Sequence, residues 1–502
     1  MDSMTFVLFG GTGDLAKRKI YPALYNLFIE QKMPSSFSII GLGRRGMSHS
    51  DFQENVEQSL KTFSRGDTTN SLKMEEFLET IRYVQFDATN KEDYKKLLKF
   101  VEQREQELNL PENRMFYLSV APEFFDMIAR NIKESGLGST KGWKRMIIEK
   151  PFGHDLKSAQ ELNEKLSKAF DEEEIYRIDH YLGKPMVQNL EALAFTNPVL
   201  HALWNNRYIA NVQITASEIV GVEERAGYYD HTGAIKDMFQ NHMLQMLMMT
   251  AMHLPKEISA QEVKNEKRKV MEALRPLQKE DVASNVIRGQ YGPGAIKGEN
   301  VVGYLHEPGI EQSSLNDTFI AARLWVDDDF WSGVPFYIRT GKRMKEKSTR
   351  IVVEFKNPMK DLYGDLIEDT TPNLLVVEIN PNEGVSLLLN SKNVANGGKI
   401  EPIKVDYVTD NKDVPEAYEL LIHDALRGDS TFFAHWNEVE LSWKYVQPIL
   451  DAFKENIVPL ESYPSGSYGP EAAHSLLQED GFKWWLDEET ALVKEKELAL
   501  QV

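Results

Sequence analysis

The run Thr5-Phe6-Val7-Leu8-Phe9, followed at once by Gly10-Gly11-Thr12-Gly13-Asp14-Leu15-Ala16, constrains the fold more than any other stretch of this chain. An apolar strand opens into a glycine loop and then into a helix-period pattern through Leu24, Leu27 and Phe28. That is the context a dinucleotide-binding sheet requires of its first βα turn. Gly10 can make the tight turn, Gly13 lets backbone approach a pyrophosphate, and Ala16 is small enough for close helix–strand packing. Gly11, Thr12, Asp14 and Leu15 complete the loop, and the helix N-terminus offers N–H groups and a favourable dipole to an anion. Taken alone, the same residues are compatible with an ordinary strand–helix turn.

The alternation continues. Strand-like runs at 37–40, 81–86, 115–120 and 146–149 are separated by polar, helix-forming stretches such as 91–107. Strands alternating with helices predict a parallel sheet with crossover helices, so residues 1–178 read as an α/β, Rossmann-type domain. Beyond about residue 180 the pattern changes. Strand candidates at 210–219, 319–326, 335–340, 350–355 and 374–379 stand apart from helical blocks near 184–195, 229–253, 414–427, 438–456 and 471–486. This order predicts a larger α+β domain, 179–502, built on a mostly antiparallel sheet with helices on one side. A chain of 502 residues is in any case too long for one ordinary core.

Composition limits the partners. A formal charge of −19 excludes a general nucleic-acid binder, which needs a broad cationic surface, yet leaves room for a local cationic pocket that takes a small anion. The absence of cysteine removes disulfides, thiolate metal sites and a cysteine nucleophile, and no metal is expected. No apolar run approaches the ~20 residues that span a bilayer, and Met1–Thr5 lacks the basic start of a signal peptide. A soluble, cytoplasmic protein without membrane partners is the expectation.

Four further segments carry chemistry. The second strand ends in Gly41-Leu42-Gly43-Arg44-Arg45, with arginine where a ribose 2′-hydroxyl would want a carboxylate. This predicts NADP, with NAD as the weaker alternative. Lys150, in Ile147-Ile148-Glu149-Lys150-Pro151-Phe152-Gly153, stands where a parallel strand ends, the usual place for ligand contacts. Asp237 and His242 lie in an apolar helix whose methionines, Met246, Met248 and Met249, read as core. A charge there needs a partner or a function, although a lone histidine is also compatible with a satisfied core residue. Arg177-Ile178-Asp179-His180-Tyr181-Leu182-Gly183-Lys184 gathers a carboxylate, an imidazole, a phenol and an ammonium. On a helix His180 and Lys184 would share a face and grip one phosphate, and Asp179 could simply be that helix's N-cap. The basic segment 339–347, by itself, reads as a solvated turn.

Taken in order, GGTGDLAKRK (Gly10–Lys19), EKPFG (Glu149–Gly153), RIDHYLGK (Arg177–Lys184) and the Asn241-His242 helix resemble the glucose-6-phosphate dehydrogenase family across essentially the whole chain. The resemblance implies oxidation of C1 of β-D-glucose 6-phosphate to 6-phosphoglucono-δ-lactone with hydride transfer to NADP, the first step of the oxidative pentose phosphate pathway. It implies His242 as general base and Asp179 as the carboxylate that orients it. His180, Tyr181, Lys184 and Lys347 would bind the phosphate, and Lys150, Glu218, Asp237 and Lys342 the sugar. Arg44 would meet the 2′-phosphate, with Tyr117 and Lys150 on the cofactor side. It also implies a homo-oligomer, dimer or tetramer, associating through the large sheet. A second, structural NADP site, which some members carry, is expected to be absent. Two rivals stand beside this reading: another two-domain sugar oxidoreductase of the glucose–fructose oxidoreductase or inositol dehydrogenase type, and a non-catalytic NADP sensor.

Overall fold

The computed structural model describes residues 1–356, 371–396, 398–408 and 414–487, divided between two compact units. The end of the second expected domain, 488–502, lies outside the described residues. The first unit comprises Met1–Lys184, Pro255–Asn265 and Pro415–Glu440; the second comprises Pro185–Leu254, Glu266–Val414 and Leu441–Val502.

In the first unit six strands, β1 (Met4–Phe9), β2 (Phe37–Gly43), β3 (Ile81–Gln85), β4 (Arg114–Leu118), β5 (Lys144–Glu149) and β6 (Ile175–Ile178), form one parallel sheet in the order 3-2-1-4-5-6. Every residue of β1 is buried, as expected of a strand covered on both faces. Its alternate side chains go to two cores. Phe6 and Leu8 pack with α1 (Tyr21–Ile29), α2 (His49–Phe63), α3 (Ser71–Glu79) and the later helix Ala417–Arg427. Val7 and Phe9 pack with α4 (Lys91–Glu107), α5 (Phe125–Glu134) and Leu166 of α6 (Leu156–Ser167). Local signals start the helices: Ser48 and Asp51 form a reciprocal capping box on α2, and Asn90 caps α4. The strand order reverses between β1 and β4, and in such sheets ligands bind outside the carboxyl ends of the strands at that point.

The second unit is built on a nine-stranded sheet. Its strands are β7 (Ile209–Ser217), β8 (Val286–Gly292), β11 (Phe319–Trp325), β12 (Pro335–Gly341), β13 (Ser348–Phe355), β14 (Leu374–Asn380), β15 (Gly384–Asn393), β16 (Lys399–Val408) and β17 (Leu460–Pro464), in the order 16-15-14-13-7-12-11-8-17. The short pair β9 (Gly294–Ile296) and β10 (Glu299–Val301) stands apart from it. Neighbours are antiparallel except β12 with β7 and β17 with β8.

Helices are expected on one side of this sheet; at its central strand β12 both faces are covered. Tyr337 packs with Leu476 and Trp484, from the helix Glu471–Gln478 and the segment after it. The adjacent Phe336 packs on Trp331, whose indole N–H donates to the Ala251 carbonyl at the end of the helix Leu244–Ala251. Successive residues of a strand point to opposite faces, so this central strand is buried twice over. Among the described residues no helix is long and apolar enough to cross a membrane.

Candidate active site

The chemistry-bearing residues of the first unit lie at the carboxyl ends of its strands. Gly10 follows β1 with φ +77°, and a Cβ there would come within 2.1 Å of the Ser119 carbonyl oxygen. Only glycine tolerates both conditions, and the close turn is the cradle that a pyrophosphate needs. Gly13 N–H closes the turn on Gly10 O at 2.9 Å, and Gly11 N–H ties it to Leu42 O of β2 at 2.8 Å. The helical run starts at Asp14 and passes through a π-helical stretch, Ala16–Ile20. Asp14 is exposed and pairs with Arg18 four residues on, at 2.8 Å.

A cavity of about 360 Å³ beside this loop is lined by Gly11, Thr12, Lys17, Arg44 and Arg45, with Phe52 among its apolar walls. Three cations in one cavity at the end of β2 fit a 2′-phosphorylated dinucleotide better than a free ribose hydroxyl. The Arg44 and Arg45 carbonyls are themselves held, by Gln85 and by the Tyr83 hydroxyl. Lys17 and Arg45 were not singled out by the sequence as ligands; the helical turn brings the first of them round to the second strand's end.

At the end of β5, Glu149 precedes Lys150. The Tyr117 hydroxyl donates to Glu149 Oε1 at 2.5 Å and the Tyr418 hydroxyl to Oε2 at 3.4 Å. Desolvation pushes the Glu149 carboxyl up to about 7; the two phenols and Lys150 oppose the rise, and the Asp179 carboxylate adds to it. Tyr117, expected on the cofactor side, is wholly buried with its hydroxyl committed to Glu149. Neither Glu149 nor Tyr418 was assigned a role from sequence. Glu149 was visible only as the neighbour of Lys150, and Tyr418 lies 269 residues away from it.

The octapeptide spans the end of β6 and divides by residue. Arg177 is buried and clamped by Glu172 (2.6 and 2.9 Å) and Asn163 (2.7 Å), so it serves the scaffold. Residues 179–184 form a turn, and the helix starts only at Pro185. Two expectations are therefore corrected: His180 and Lys184 do not share a helical face, and Asp179 is not a helix N-cap. Asp179 Oδ1 instead accepts the Tyr181 N–H at 2.9 Å, while Leu182 N–H and Lys184 N–H close on the carbonyls of Asp179 and Tyr181. The turn still gathers the side chains. The Lys184 ammonium lies 4.2 Å from the centre of the Tyr181 ring, and the His180 and Tyr181 rings are 5.0 Å apart. Gly183 permits it, since a Cβ there would meet the Ala417 carbonyl oxygen at 2.7 Å.

In the second unit a different cluster forms. Glu218 follows β7 and is tied to the end of β12 by its N–H to Gly341 O (3.0 Å) and its carbonyl from Met344 N–H (2.9 Å). Lys342 Nζ donates to Glu218 Oε2 at 2.5 Å and stands 5.0 Å from the centre of the Tyr229 ring. Burial, followed by the carboxylates of Asp237, Asp317 and Glu218, pushes the Tyr229 phenol well up. Asp237, Glu218 and Lys342 thus converge on one buried ring, which the sequence did not single out. Lys347 is exposed, just before β13. Asp237 (6% exposed) and His242 (0%) both lie on a π-helix, Ile235–Met243. Among the described residues no group of three or more histidine and carboxylate side chains is placed to hold a metal ion.

Two family domains together span most of the chain and meet near residue 190. The description "Glucose-6-phosphate dehydrogenase, NAD binding domain" matches residues 7–189, and "Glucose-6-phosphate dehydrogenase, C-terminal domain" matches 191–485. Glucose-6-phosphate 1-dehydrogenase of Bacillus subtilis (strain 168) is 47% identical over 482 residues, covering 95% of this chain and 97% of that protein. A solved glucose-6-phosphate dehydrogenase in complex with its substrate glucose-6-phosphate is 35% identical with a TM-score of 0.89, covering 96% of this chain and 98% of that one. The crystal structure of glucose-6-phosphate 1-dehydrogenase from Mycobacterium avium is 30% identical with a TM-score of 0.82, over 97% and 98% of the two chains. From the glycine loop to the closing strands, this chain belongs to the glucose-6-phosphate dehydrogenase family.

Proposed function

We propose that this chain oxidises C1 of β-D-glucose 6-phosphate to 6-phosphoglucono-δ-lactone with hydride transfer to NADP, NAD being the weaker acceptor. The observation that carries the reading is the turn at the end of β6. Its His180, Tyr181 and Lys184 form a compact cationic and aromatic group in the same unit as the glycine loop and the cavity lined by Lys17, Arg44 and Arg45. One unit therefore offers groups for two phosphates of different ligands.

The nicotinamide, when bound, supplies the hydride acceptor. The chain's own residues bind, orient and move the proton. His242 takes the C1 hydroxyl proton as the C1–H bond yields its hydride; an imidazole, with an ordinary pKa of ~6.5, suits that task near neutral pH. Asp179 supplies the orienting carboxylate, which also stabilises the imidazolium. His180, Tyr181, Lys184 and Lys347 hold the phosphate, which is mostly dianionic near neutral pH. Lys150, Glu218, Asp237 and Lys342 hold the sugar hydroxyls, and Arg44 the 2′-phosphate.

The same reading makes the enzyme a cytoplasmic homo-oligomer, a dimer or tetramer. Supporting association through the large sheet, β15 and its edge strand β16 expose Leu389, Ile403, Val405 and Tyr407, and Leu389 pairs directly with Ile403. Nicotinamide reduction followed at its absorbance with NADP and NAD, against a panel of sugars and sugar phosphates, tests the function. Turnover confined to glucose 6-phosphate, faster with NADP, is expected. Equal activity on free sugars would turn the assignment toward the glucose–fructose oxidoreductase or inositol dehydrogenase type, and tight NADP binding without turnover toward a sensor.

A further inference from the structure

The segment that carries Asp237 and His242 departs from α geometry. Ile235–Met243 is a nine-residue π-helix that returns to α-helix at Leu244. Such segments are rare, usually limited to a single turn, and concentrated at functional sites. The departure matters because Asp237 and His242 are five residues apart. At 3.6 residues per turn, side chains five apart point about 140° away from each other. A ladder of i→i+5 bonds takes more residues per turn, which rotates residue i+5 back toward the face of residue i. The π pitch thus brings an acidic and an imidazole side chain, both buried, to one face of the same helix.

A π turn leaves the chain wider than its backbone prefers, so something must hold it. Its start is anchored by Asp317, whose carbonyl accepts the Ala234 N–H at 3.0 Å and whose Oδ2 accepts the Ile235 N–H at 2.9 Å. Within it, Asn241 bridges the wide turn with its own side chain. Asn241 Nδ2 donates to the Lys236 carbonyl, five residues back, at 2.9 Å. Asn241 Oδ1 accepts the backbone N–H of His242 at 2.6 Å. One carboxamide therefore occupies an acceptor at the far end of the turn and the amide of the residue that carries the imidazole.

We propose that Asn241 is a positioning residue for the base: its carboxamide, bonded to the Lys236 carbonyl and the His242 N–H, holds the π pitch that turns His242 toward the face of Asp237. The inference rests on the reading of His242 as the general base. Asn241 acts through the backbone, binds no substrate itself and adds nothing to the affinity for glucose 6-phosphate or NADP. Its contribution is confined to the chemical step, where a small misplacement of the base is expensive in rate.

The test is a double-mutant cycle of Asn241→Ala with His242→Asn, with kcat and both KM values measured. Asn241→Ala is expected to lower kcat at least tenfold while each KM stays within about threefold of wild type. In the His242→Asn background the same change is expected to cost less than twofold, because no base remains to position. Asn241→Asp, nearly isosteric, keeps the acceptor for the His242 N–H but loses the donor to Lys236. It is expected to fall between wild type and Asn241→Ala, and it serves as the reading should the alanine variant not fold. An unchanged kcat in Asn241→Ala, a purely KM effect, or an equal loss in the His242→Asn background overturns the positioning role. A near-normal kcat for His242→Asn alone overturns the base instead, so the two failures are separable.

Discussion

The Tyr117 hydroxyl donates to Glu149 Oε1 across 2.5 Å, from the middle of the parallel sheet to the strand end that also carries Lys150. Tyr418 reaches the other carboxylate oxygen from the helix Ala417–Arg427. Burial lifts the carboxyl to about 7, the two phenols and the Lys150 ammonium opposing the rise and the Asp179 carboxylate adding to it.

That shift has a sign. The folded state keeps the Glu149 proton up to about pH 7, while the unfolded chain gives it up near 4.5. Between those values the native state binds more protons, so this group's contribution to stability falls as pH rises. Glu149→Gln is expected to flatten that dependence and gain about 2–4 kcal/mol relative to wild type at pH 8 compared with pH 4.5. Urea unfolding at the two pH values checks it; parallel profiles for the two proteins would contradict it.

His242 is completely buried on its π-helix. As general base, its replacement by asparagine is expected to lower kcat by roughly 10²–10⁴-fold while glucose 6-phosphate still binds. Steady-state kinetics together with a direct binding titration decide it, and a kcat near wild type would remove His242 from the role.

The Lys184 ammonium stands over the Tyr181 ring, beside His180. A charge-assisted bond to a phosphate is worth about 1.5–3 kcal/mol. Lys184→Ala should therefore raise the KM for glucose 6-phosphate by about 10–100-fold and leave the KM for NADP near its wild-type value. Discrimination between glucose 6-phosphate and glucose would shrink in step. Unchanged discrimination is the result that tells against the assignment.

Arg44 and Arg45 both line the cavity at the end of β2, with Lys17 opposite them in sequence on the first helix. Arg44→Ala is expected to weaken NADP by about 10–100-fold and NAD by less than threefold, because only NADP brings the 2′-phosphate. Arg45→Ala should shift the preference in the same direction by a smaller factor. Comparison of kcat/KM for the two cofactors measures both, and an equal loss for NADP and NAD would take Arg44 out of that contact.

Gly183 leaves no space for a side chain against the helix Ala417–Arg427. Gly183→Val forces the Asp179–Lys184 turn away from that helix and is expected to cost about 1–3 kcal/mol. Thermal unfolding should show a lower Tm, accompanied by a raised KM for glucose 6-phosphate; a Tm equal to wild type would mean the turn yields freely.

Most of the doubly wound half of the chain is legible in the sequence. Every strand of the parallel sheet up to β5 stood out as an apolar run, and 91–107 bounds α4 to the residue. β6 did not stand out, being only four residues long. In the large sheet, β8, β15, β16 and β17 escaped notice. β16 is mostly exposed, so its sequence carries little of the alternation by which a half-buried strand announces itself. The spacing of four from His180 to Lys184 suits a helix but does not specify one, and the structure has a turn there.

By itself, the sequence determined the fold class, marked the glycine loop and the arginines at the end of β2, and nominated the candidate catalytic residues. Glycine spacing, apolar period and residue type are local properties, carried by neighbours in the chain. Tertiary structure alone decided that Glu149 is satisfied by Tyr117 and Tyr418, and that Glu218, Lys342 and Asp237 meet at Tyr229. It also decided that the helix under His242 widens to a π pitch. These depend on contacts between residues tens to hundreds of positions apart, and on backbone bonds that follow once packing is complete. No local pattern specifies them, since the free energy that selects them is gained only when the distant partners have been brought together.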